Sequence, residues 1–292
     1  MIDGATVRAD STAPTDPVCV MVAPSTPDRV VAAATWLGAD AAAAEHALAS
    51  PHRRPVAYVH DQRISVVAVG TAQDFASQEV HLHVGSRGLV VVCPEPLKPV
   101  LTAVVPHVRG GPDEALAAVL LALANQGTTA IQNLSEEAER LDQDRIGLTS
   151  GARRRTISDL RHRVFALQQL WTSHHLLCAT NGMLAEALAE ATGRRRLRQA
   201  GSVFDANSAA AAQVYARLGD ALSRQAAVIN ERLTLVTVVF LPLTVISSFF
   251  GMNFAWMVDH IGSGADFIVL GIVLPVALVT VTVLGVRMFS GR

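Results

Sequence analysis

The stretch LTLVTVVFLPLTVISSFFGMNF, residues 233–254, decides the architecture of this chain. Its first 18 residues, Leu233 to Phe250, contain no charged side chain. A second uncharged run of 20 residues extends from Phe267 to Val286. As helices these runs are about 27 and 30 Å long, close to the hydrocarbon thickness of a bilayer. The sequence therefore predicts two transmembrane helices, 233–250 and 267–286, joined by a short loop, 251–266.

Basic residues on either side of the two runs predict their orientation. Arg224 and Arg232 precede the first run, and Arg287 and Arg292 follow the second, whereas the loop has no Lys or Arg. Because basic residues are retained on the cytoplasmic side, both termini are expected in the cytoplasm and the loop outside. We expect a multi-pass protein of the cell (inner) membrane with a cytoplasmic tail at 287–292. The alternative is a peripheral protein with two buried core helices, which uncharged runs of this length disfavour.

The region before the first apolar run is predicted to be soluble. Residues 1–16 are polar, so they are predicted to be a disordered tail without a signal peptide. Residues 17–135 are predicted to form a cytoplasmic α/β domain with a mixed sheet, because short β-branched runs alternate with helical ones. The predicted strands are Val18–Val22, Val56–His60, Ile64–Val69, Val80–Val84 and Leu89–Cys93, and the predicted helices are Asp28–Leu37 and one capped by Asp40.

Helical spacing dominates from Asp113 onward. Residues 136–204 are predicted to be a cytoplasmic helical region that includes a long helix over Ile157–Glu190. The basic segment between Gly193 and Gly201 is expected to be an exposed turn between helices. Residues 205–250 then read as one stalk helix that continues into the first transmembrane run.

Composition excludes several classes of function. The 292 residues carry a net charge of −1, so no nucleic-acid partner is expected. The three cysteines show no metal-type spacing, so neither a disulfide framework nor a four-cysteine zinc site is expected. The sequence contains no nucleotide-binding or hydrolase motif of the usual kinds. We therefore expect no enzyme activity, no organic cofactor and no ATP-driven pumping.

Two small groups of residues are weak candidates for binding a soft metal. His174, His175 and Cys178 lie within about one helical turn, and His81 and His83 share a strand face. The ordinary interpretation of both groups, as surface or interface residues, is the favoured one.

Polar residues recur in register along the first apolar run. Asn230, Thr237, Thr244 and Ser248 are separated by 7, 7 and 4 residues, so they share one face of a helix. Leu233 and Leu241 lie on that same face. Such a stripe fits a narrow, partly hydrophobic water path. The alternative is that the hydroxyls bond to carbonyls of their own helix or join neighbouring helices.

Two helices cannot enclose a path, so several copies of the chain would have to surround it with cyclic symmetry. Asn253 would then form a ring of carboxamides at the outer mouth. Amide oxygens can hydrogen-bond the tightly held water shell of Mg²⁺ without removing it. Asp259 and Asp266 would concentrate cations near this entrance. Gly251 provides the backbone freedom needed where the helix ends.

At these residues the chain resembles the CorA family of divalent-cation channels and transporters. Residues 239–254 match the family pattern F-x-P-x-T-x-x-x-x-x-Y/F-G-M-N-F at every fixed position. The resemblance implies an α/β cytoplasmic domain, a long stalk helix and two C-terminal transmembrane helices. It also implies a homopentamer that passes hydrated Mg²⁺, and in many members Co²⁺ or Ni²⁺, down its electrochemical gradient. In the family, Mg²⁺ bound between cytoplasmic domains closes the channel, so Mg²⁺ is also a candidate regulatory ion.

The resemblance also implies roles for single residues. Gly251, Met252 and Asn253 would form the selectivity ring. Thr244, Leu241, Thr237 and Leu233 would line the pore, with the leucines as hydrophobic constrictions. The polar stripe adds Asn230 and Ser248 to this predicted pore-lining set.

The chain departs from the family in three places. Its loop has Met257-Val258-Asp259-His260 where members often have Met-Pro-Glu-Leu, and its C-terminal basic cluster is reduced to Arg287 and Arg292. Ala227 falls where the family has a pore-lining Asn, with Asn230 one turn later. A Zn²⁺ transporter of the same fold and a non-transporting membrane assembly protein therefore remain alternatives.

Overall fold

The computed structural model describes residues 6–8, 18–22, 26–49, 52, 54–60, 63–72, 75–104, 108, 110–143, 150–251 and 263–290. Contacts divide the chain into two compact units, Met1–Gly219 and Asp220–Arg292. The strands are β1 Thr6–Arg8, β2 Val18–Val22, β3 Val56–His60, β4 Arg63–Thr71, β5 Ser77–Gly85 and β6 Gly88–Val92. The helices are α1 Pro27–Leu37, α2 Ala41–Ala49, α3 Lys98–Val104, α4 Pro112–Gln143, α5 Ser150–Leu177, α6 Met183–Ala187, α7 Ala191–Gly251, α8 Gly264–Ile268 and α9 Leu274–Ser290. A π-helical turn, Val269–Val273, joins α8 to α9.

The six strands form one mixed sheet in the order β1-β2-β6-β5-β4-β3. β2 pairs with β6 in parallel, and the other neighbours are antiparallel. β4 to β6 are buried over most of their length, because their Val, Ile and Leu side chains are covered on both faces. The α/β domain with a mixed sheet is therefore confirmed.

Helices cover both faces of this sheet. On one face, Val30, Ala34 and Leu37 of α1 pack in one cluster with Val90 and Val92 of β6. On the other face, a Cβ added to Gly70 of β4 would lie 2.6 Å from Leu97 and 3.0 Å from Leu123 of α4. The absence of a side chain at Gly70 thus allows α4 to approach the sheet closely.

Each of the first two helices has a cap at one end. Gly38 follows α1 with φ +75°, a left-handed conformation that a residue without a Cβ adopts at low cost. Asp40 Oδ1 accepts a hydrogen bond of 3.0 Å from the Ala43 backbone N–H at the start of α2. This contact confirms the predicted cap.

Helices α4 and α5 and the first part of α7 pack around buried Trp171 and Phe204. Gly127 of α4 lies where the three helices are close together, since a Cβ there would be 2.9 Å from both Asn207 Nδ2 and Trp171 Nε1. Asn207 is itself buried and donates to the Ala124 carbonyl at 2.8 Å. Its Oδ1 accepts from the Thr128 hydroxyl at 2.9 Å, so both ends of the amide are bonded.

The basic segment 193–201 does not have the structure that the sequence predicts. It is not an exposed turn, because α7 is continuous from Ala191 to Gly251. A Cβ at Gly193 would lie 3.1 Å from Asp113, and one at Gly201 would lie 3.0 Å from Cys178 Cβ. These glycines allow close packing of α7 rather than a chain reversal, so the long helix begins at Ala191 instead of Asp205.

Two other differences concern the ends of elements. Thr6–Arg8 of the predicted disordered tail pair antiparallel with Val18–Val20 and extend the sheet by one strand. A three-residue strand is too short for a period-2 pattern to reveal. The helix predicted over Ile157–Glu190 ends at Leu177, and the Gly182 N–H then bonds to Ala179 O in a turn.

The second unit contains the end of α7, α8, the π-helical turn and α9. The Leu274 N–H bonds to the Val269 carbonyl five residues back, and Pro275 follows directly. Because Pro275 has no N–H to continue the ladder, the helix changes its winding at this point. The predicted second transmembrane run, 267–286, is therefore helical but interrupted. The predicted domain boundaries and membrane topology stay predictions.

Candidate functional site

The candidate site is one face of the last part of α7. At 100° per residue, the six predicted pore-lining residues fall within an arc of about 80°. All six are exposed in the chain, and no charged residue occurs from Leu233 to Phe250. Leu233 and Leu241 are 59% and 62% exposed, which is unusual for leucine in a folded unit. The face is thus formed as the sequence predicts, and its role in a pore stays a prediction.

The hydroxyls on this face have fixed orientations. Thr237 Oγ1 donates to the Leu233 carbonyl at 3.0 Å, and Thr244 Oγ1 donates to the Phe240 carbonyl at 2.8 Å. These are the bonds within one helix that the alternative interpretation of the stripe expects. They do not remove the hydroxyls from the face, because the oxygen lone pairs still point outward as acceptors.

A further hydroxyl on this face was missed by the sequence reasoning. Thr234 is exposed, and its Oγ1 donates to the Asn230 carbonyl at 2.9 Å. The spacing from Asn230 through Thr237 and Thr244 does not include it. Thr234, Leu241 and Ser248 are also seven residues apart, and that second row would have indicated it.

The predicted outer mouth lies mostly outside the described residues. Gly251 is the last residue of α7, whereas Met252, Asn253 and Asp259 belong to 252–262, which the structure does not describe. Asp266 is in α8, and its side chain is outside the described part. The selectivity ring therefore stays a prediction.

Among the described residues, two helices are long and apolar enough to cross a membrane by length and composition. In Pro112–Leu141, 72% of the most apolar stretch is buried inside the chain, as in a core helix of the α/β domain. In Ala191–Val245, 0% of the most apolar stretch is buried. The second fits a membrane environment, because a large exposed apolar surface is unfavourable in water.

His174 and its neighbours do not form a metal site. His174 is fully buried, its Nε2 accepts from the Val69 N–H at 3.1 Å, and its Nδ1 donates to Leu170 O at 2.9 Å. Neither ring nitrogen is left to bind a metal. Burial lowers the pKa of His174 to about 4, although the Leu170 hydrogen bond opposes this shift. His175 Nδ1 bonds to Gly201 O, and burial raises the pKa of the Cys178 thiol to about 12.

His81 and His83 are buried on the sheet face that α1 covers. His83 Nδ1 lies 3.0 Å from Ser65 Oγ, and His81 Nε2 lies 3.5 Å from Glu79 Oε2. Burial lowers the pKa of each to about 4, and a neighbouring histidine adds to the effect. His52 is the histidine that acts on His81. Both side chains are therefore neutral near pH 7.

Across the described ranges, no three His, Cys, Asp or Glu side chains are arranged to hold a metal ion. Two arginines of the basic run at the start of α7 are bonded within the chain. Arg196 forms a 2.8 Å ion pair with the mostly buried Glu114. Arg194 donates to Leu188 O and Ala189 O. These contacts give Arg194 and Arg196 a structural role.

An α/β domain followed by one very long helix with an apolar, exposed end and a further apolar helix is typical of a membrane protein with a soluble N-terminal domain. The chain belongs to the family of CorA-like Mg²⁺ transporter proteins, whose model matches residues 26–287. Comparison with curated proteins gave no significant match.

Solved structures show the same fold. The full-length CmaX protein is 14% identical over 95% of this chain and 90% of its own, with a TM-score of 0.62. The complete CorA magnesium transporter from Methanocaldococcus jannaschii is 11% identical over 94% and 92%, with a TM-score of 0.67. The ZntB cytoplasmic domain from Vibrio parahaemolyticus is 10% identical over 76% and 93%, with a TM-score of 0.56. The predicted family and fold class are thus confirmed.

Proposed function

We propose that the chain assembles as a homopentamer in the cell membrane and passes hydrated Mg²⁺ down its electrochemical gradient. The observation that carries the proposal is the exposed, uncharged face of α7, which leads directly into Gly251-Met252-Asn253. Membership of the CorA-like Mg²⁺ transporter family supports Mg²⁺ as the ion. The complete CorA magnesium transporter from Methanocaldococcus jannaschii has the same fold over 94% of this chain, which also supports transport.

The chemistry of the face suits a hydrated divalent ion. Mg²⁺ loses its water shell reluctantly, so a path for it must bind water rather than metal. Thr237 and Thr244 commit their hydroxyl hydrogens to helix carbonyls and present oxygen acceptors outward. Acceptors of this kind receive hydrogen bonds from the outer hydrogens of the bound waters. Neutral oxygens would thus hold the ion weakly enough for it to move on.

The leucines of the face would set the width of the path. Leu241 lies between Thr237 and Thr244 along the helix, and its side chain is 62% exposed. A ring of such side chains gives a hydrophobic constriction that closes when water leaves it. Leu233 would form a second constriction nearer the cytoplasm.

Asn253 would form the selectivity ring at the outer end of the path, together with Gly251 and Met252. Carboxamide oxygens bind the hydrated ion without the strong attraction of a carboxylate. Asp259 and Asp266 would raise the local concentration of cations at this mouth. A divalent ion entering a cell gains about 4–5 kcal/mol from a potential of 100 mV, so uptake needs no nucleotide hydrolysis.

Flux of Mg²⁺ into liposomes that contain the purified protein tests the proposal. We expect Mg²⁺ entry that rises with an inside-negative potential and falls at least tenfold, or about 1.4 kcal/mol, in Asn253→Ala. The matched control is Asn133→Ala, which removes an exposed carboxamide from α4 and should leave flux unchanged. Unchanged flux in Asn253→Ala would show that the carboxamide ring is not the filter.

Zn²⁺ is the second candidate ion, because the loop residues Met257 to His260 depart from the sequence common in magnesium-transporting members. The same liposomes, loaded with a dye for each metal, separate the two ions. Zn²⁺ entry without Mg²⁺ entry would replace the Mg²⁺ proposal. No entry of either ion, from a protein that is folded and assembled, would favour a non-transporting assembly protein.

A further inference from the structure

Thr234 lies beside the predicted pore-lining residues without belonging to the set. It is four residues after Asn230, so the two side chains are about 40° apart around the helix. Thr234 is also about 20° from Leu241, which is within the width of one side chain. Including it widens the face from about 80° to about 100°. Its side chain is exposed, as are those of Asn230 and Leu241.

The hydroxyl of Thr234 has the same orientation as the other two threonines of the face. Its Oγ1 donates to the Asn230 carbonyl at 2.9 Å, which parallels the bonds of Thr237 and Thr244. The hydrogen is therefore directed along the helix and the lone pairs are directed away from it. A water molecule outside the helix meets an acceptor at this position.

Thr234 lies where the polar residues of the face are closely spaced along the helix. At about 1.5 Å per residue, Asn230, Thr234 and Thr237 lie at about 0, 6 and 10.5 Å. The next polar residue, Thr244, is about 10.5 Å further, and the exposed Leu241 lies between them. The oxygen-bearing side chains that precede Leu241 are thus close to one another along the helix, whereas the two that flank Leu241, Thr237 and Thr244, are far apart.

We propose that Thr234, with Asn230 and Thr237, supplies oxygen acceptors to the ion path on the cytoplasmic side of Leu241. These acceptors lie on both sides of the Leu233 constriction along the helix and support the water shell of the divalent ion there. This inference rests on the proposed function, because it needs the face of α7 to surround the path. It assigns to Thr234 a role in ion passage that goes beyond the predicted pore-lining set. Thr234 would act on the hydration water and would not touch the metal ion.

The test uses the full-length protein in liposomes and a membrane-impermeant thiol reagent. The three native cysteines are buried, so they should not react in the folded chain. Thr234→Cys is compared with Thr237→Cys on the predicted face. The control is Thr280→Cys, since the exposed Thr280 makes the same backbone bond to Val276 O in the second apolar helix. We expect the first two variants to be labelled and to lose Mg²⁺ flux on labelling, and the Thr280 variant to remain unlabelled.

The outcomes separate this inference from the proposed function. Labelling and block at Thr237 but not at Thr234 would overturn the inference and leave the proposed function standing. A lack of labelling at both positions, in an assembled protein, would overturn both. Thr234→Val and Thr234→Ser give a second readout. Valine, which keeps the shape without the oxygen, should lower flux about tenfold, whereas serine should retain it. Equal flux in Thr234→Val and the native protein would also overturn the inference.

Discussion

Asp113 and Glu190 fix the starts of α4 and α7 to each other. Asp113 Oδ2 accepts from the backbone N–H groups of Ala189 and Glu190, at 2.7 and 3.2 Å. In return, Glu190 Oε2 accepts from the Gly111 N–H at 3.1 Å, just before α4. Each carboxylate thus satisfies N–H groups that a helix start would otherwise leave unbonded. The pair holds the beginning of the helix whose other end carries the candidate site.

Removal of this reciprocal cap should destabilise the protein. Asp113→Ala leaves two N–H groups without their acceptor, so we expect a loss of about 1–2 kcal/mol in the free energy of unfolding. The measurement is urea unfolding of the purified protein in detergent, followed by circular dichroism. Asp159→Ala, which removes an exposed carboxylate from α5, should change stability by less than about 0.5 kcal/mol. Equal effects of the two variants would contradict the capping role.

Gly127 should tolerate no side chain. Gly127→Ala places a methyl group 2.9 Å from Asn207 Nδ2 and Trp171 Nε1, so the helices must separate. We expect a loss of about 1–3 kcal/mol, measured by the same unfolding experiment. Gly151→Ala is the matched control, because a Cβ there meets no described atom within 4 Å and alanine favours the helix. A Gly127→Ala protein as stable as the control variant would show that the packing is looser than described.

Stability should fall as the pH decreases from 6.5 towards 4. Burial lowers the pKa of His81, His83 and His174 from 6.5 to about 4, so the unfolded chain binds more protons than the folded chain in this window. The contribution is fully present above pH 6.5 and is lost progressively on acidification. Each histidine adds a slope of about 1.4 kcal/mol per pH unit.

Unfolding at pH 7.5 and pH 5.0 measures this effect. The pH difference should shrink in His81→Gln, which keeps a polar side chain that does not titrate. The carboxylates that face the pair, Glu79 beside His81 and Asp40 near His83, are common to the native protein and the variant. A pH dependence identical in the native protein and the variant would exclude His81 as a source.

The proposed constriction at Leu241 predicts a gain of flux in a polar variant. Leu241→Ser replaces the leucine ring by smaller, polar side chains, so the opening is wider and water should remain in it. Basal Mg²⁺ flux in liposomes should therefore rise about tenfold. Leu284→Ser changes an exposed leucine of α9 and should leave the rate near that of the native protein. A drop in flux in Leu241→Ser, or an equal rise in both variants, would argue against a hydrophobic constriction at this position.

The sequence predicted the fold where local signals and packing agree. The β-branched runs at 56–60 and 64–69 and the cap at Asp40 reappear in the structure because their side chains pack as their pattern requires. The turn expected at Gly193–Gly201 does not form. There, Gly193 and Gly201 allow α7 to pack closely against Asp113 and Cys178, which local propensity does not reveal.

The candidate site was predictable in part. The shared face of Asn230, Thr237 and Thr244 follows from helical periodicity alone. The structural role of His174 could not be predicted in this way, because its bond to the Val69 N–H joins residues 105 positions apart. Thr234 was missed because the prediction followed the seven-residue spacing from Asn230 and not the parallel spacing of Thr234, Leu241 and Ser248.

The direct test of the central claim is a cryo-electron microscopy map of the purified assembly in lipid. The account predicts five copies of the chain, with Asn230, Thr237 and Thr244 of each first apolar helix facing the central axis and Asn253 forming a ring at its outer end. An assembly in which this face of α7 points into lipid, or in which Asn253 lies away from any common axis, would contradict it.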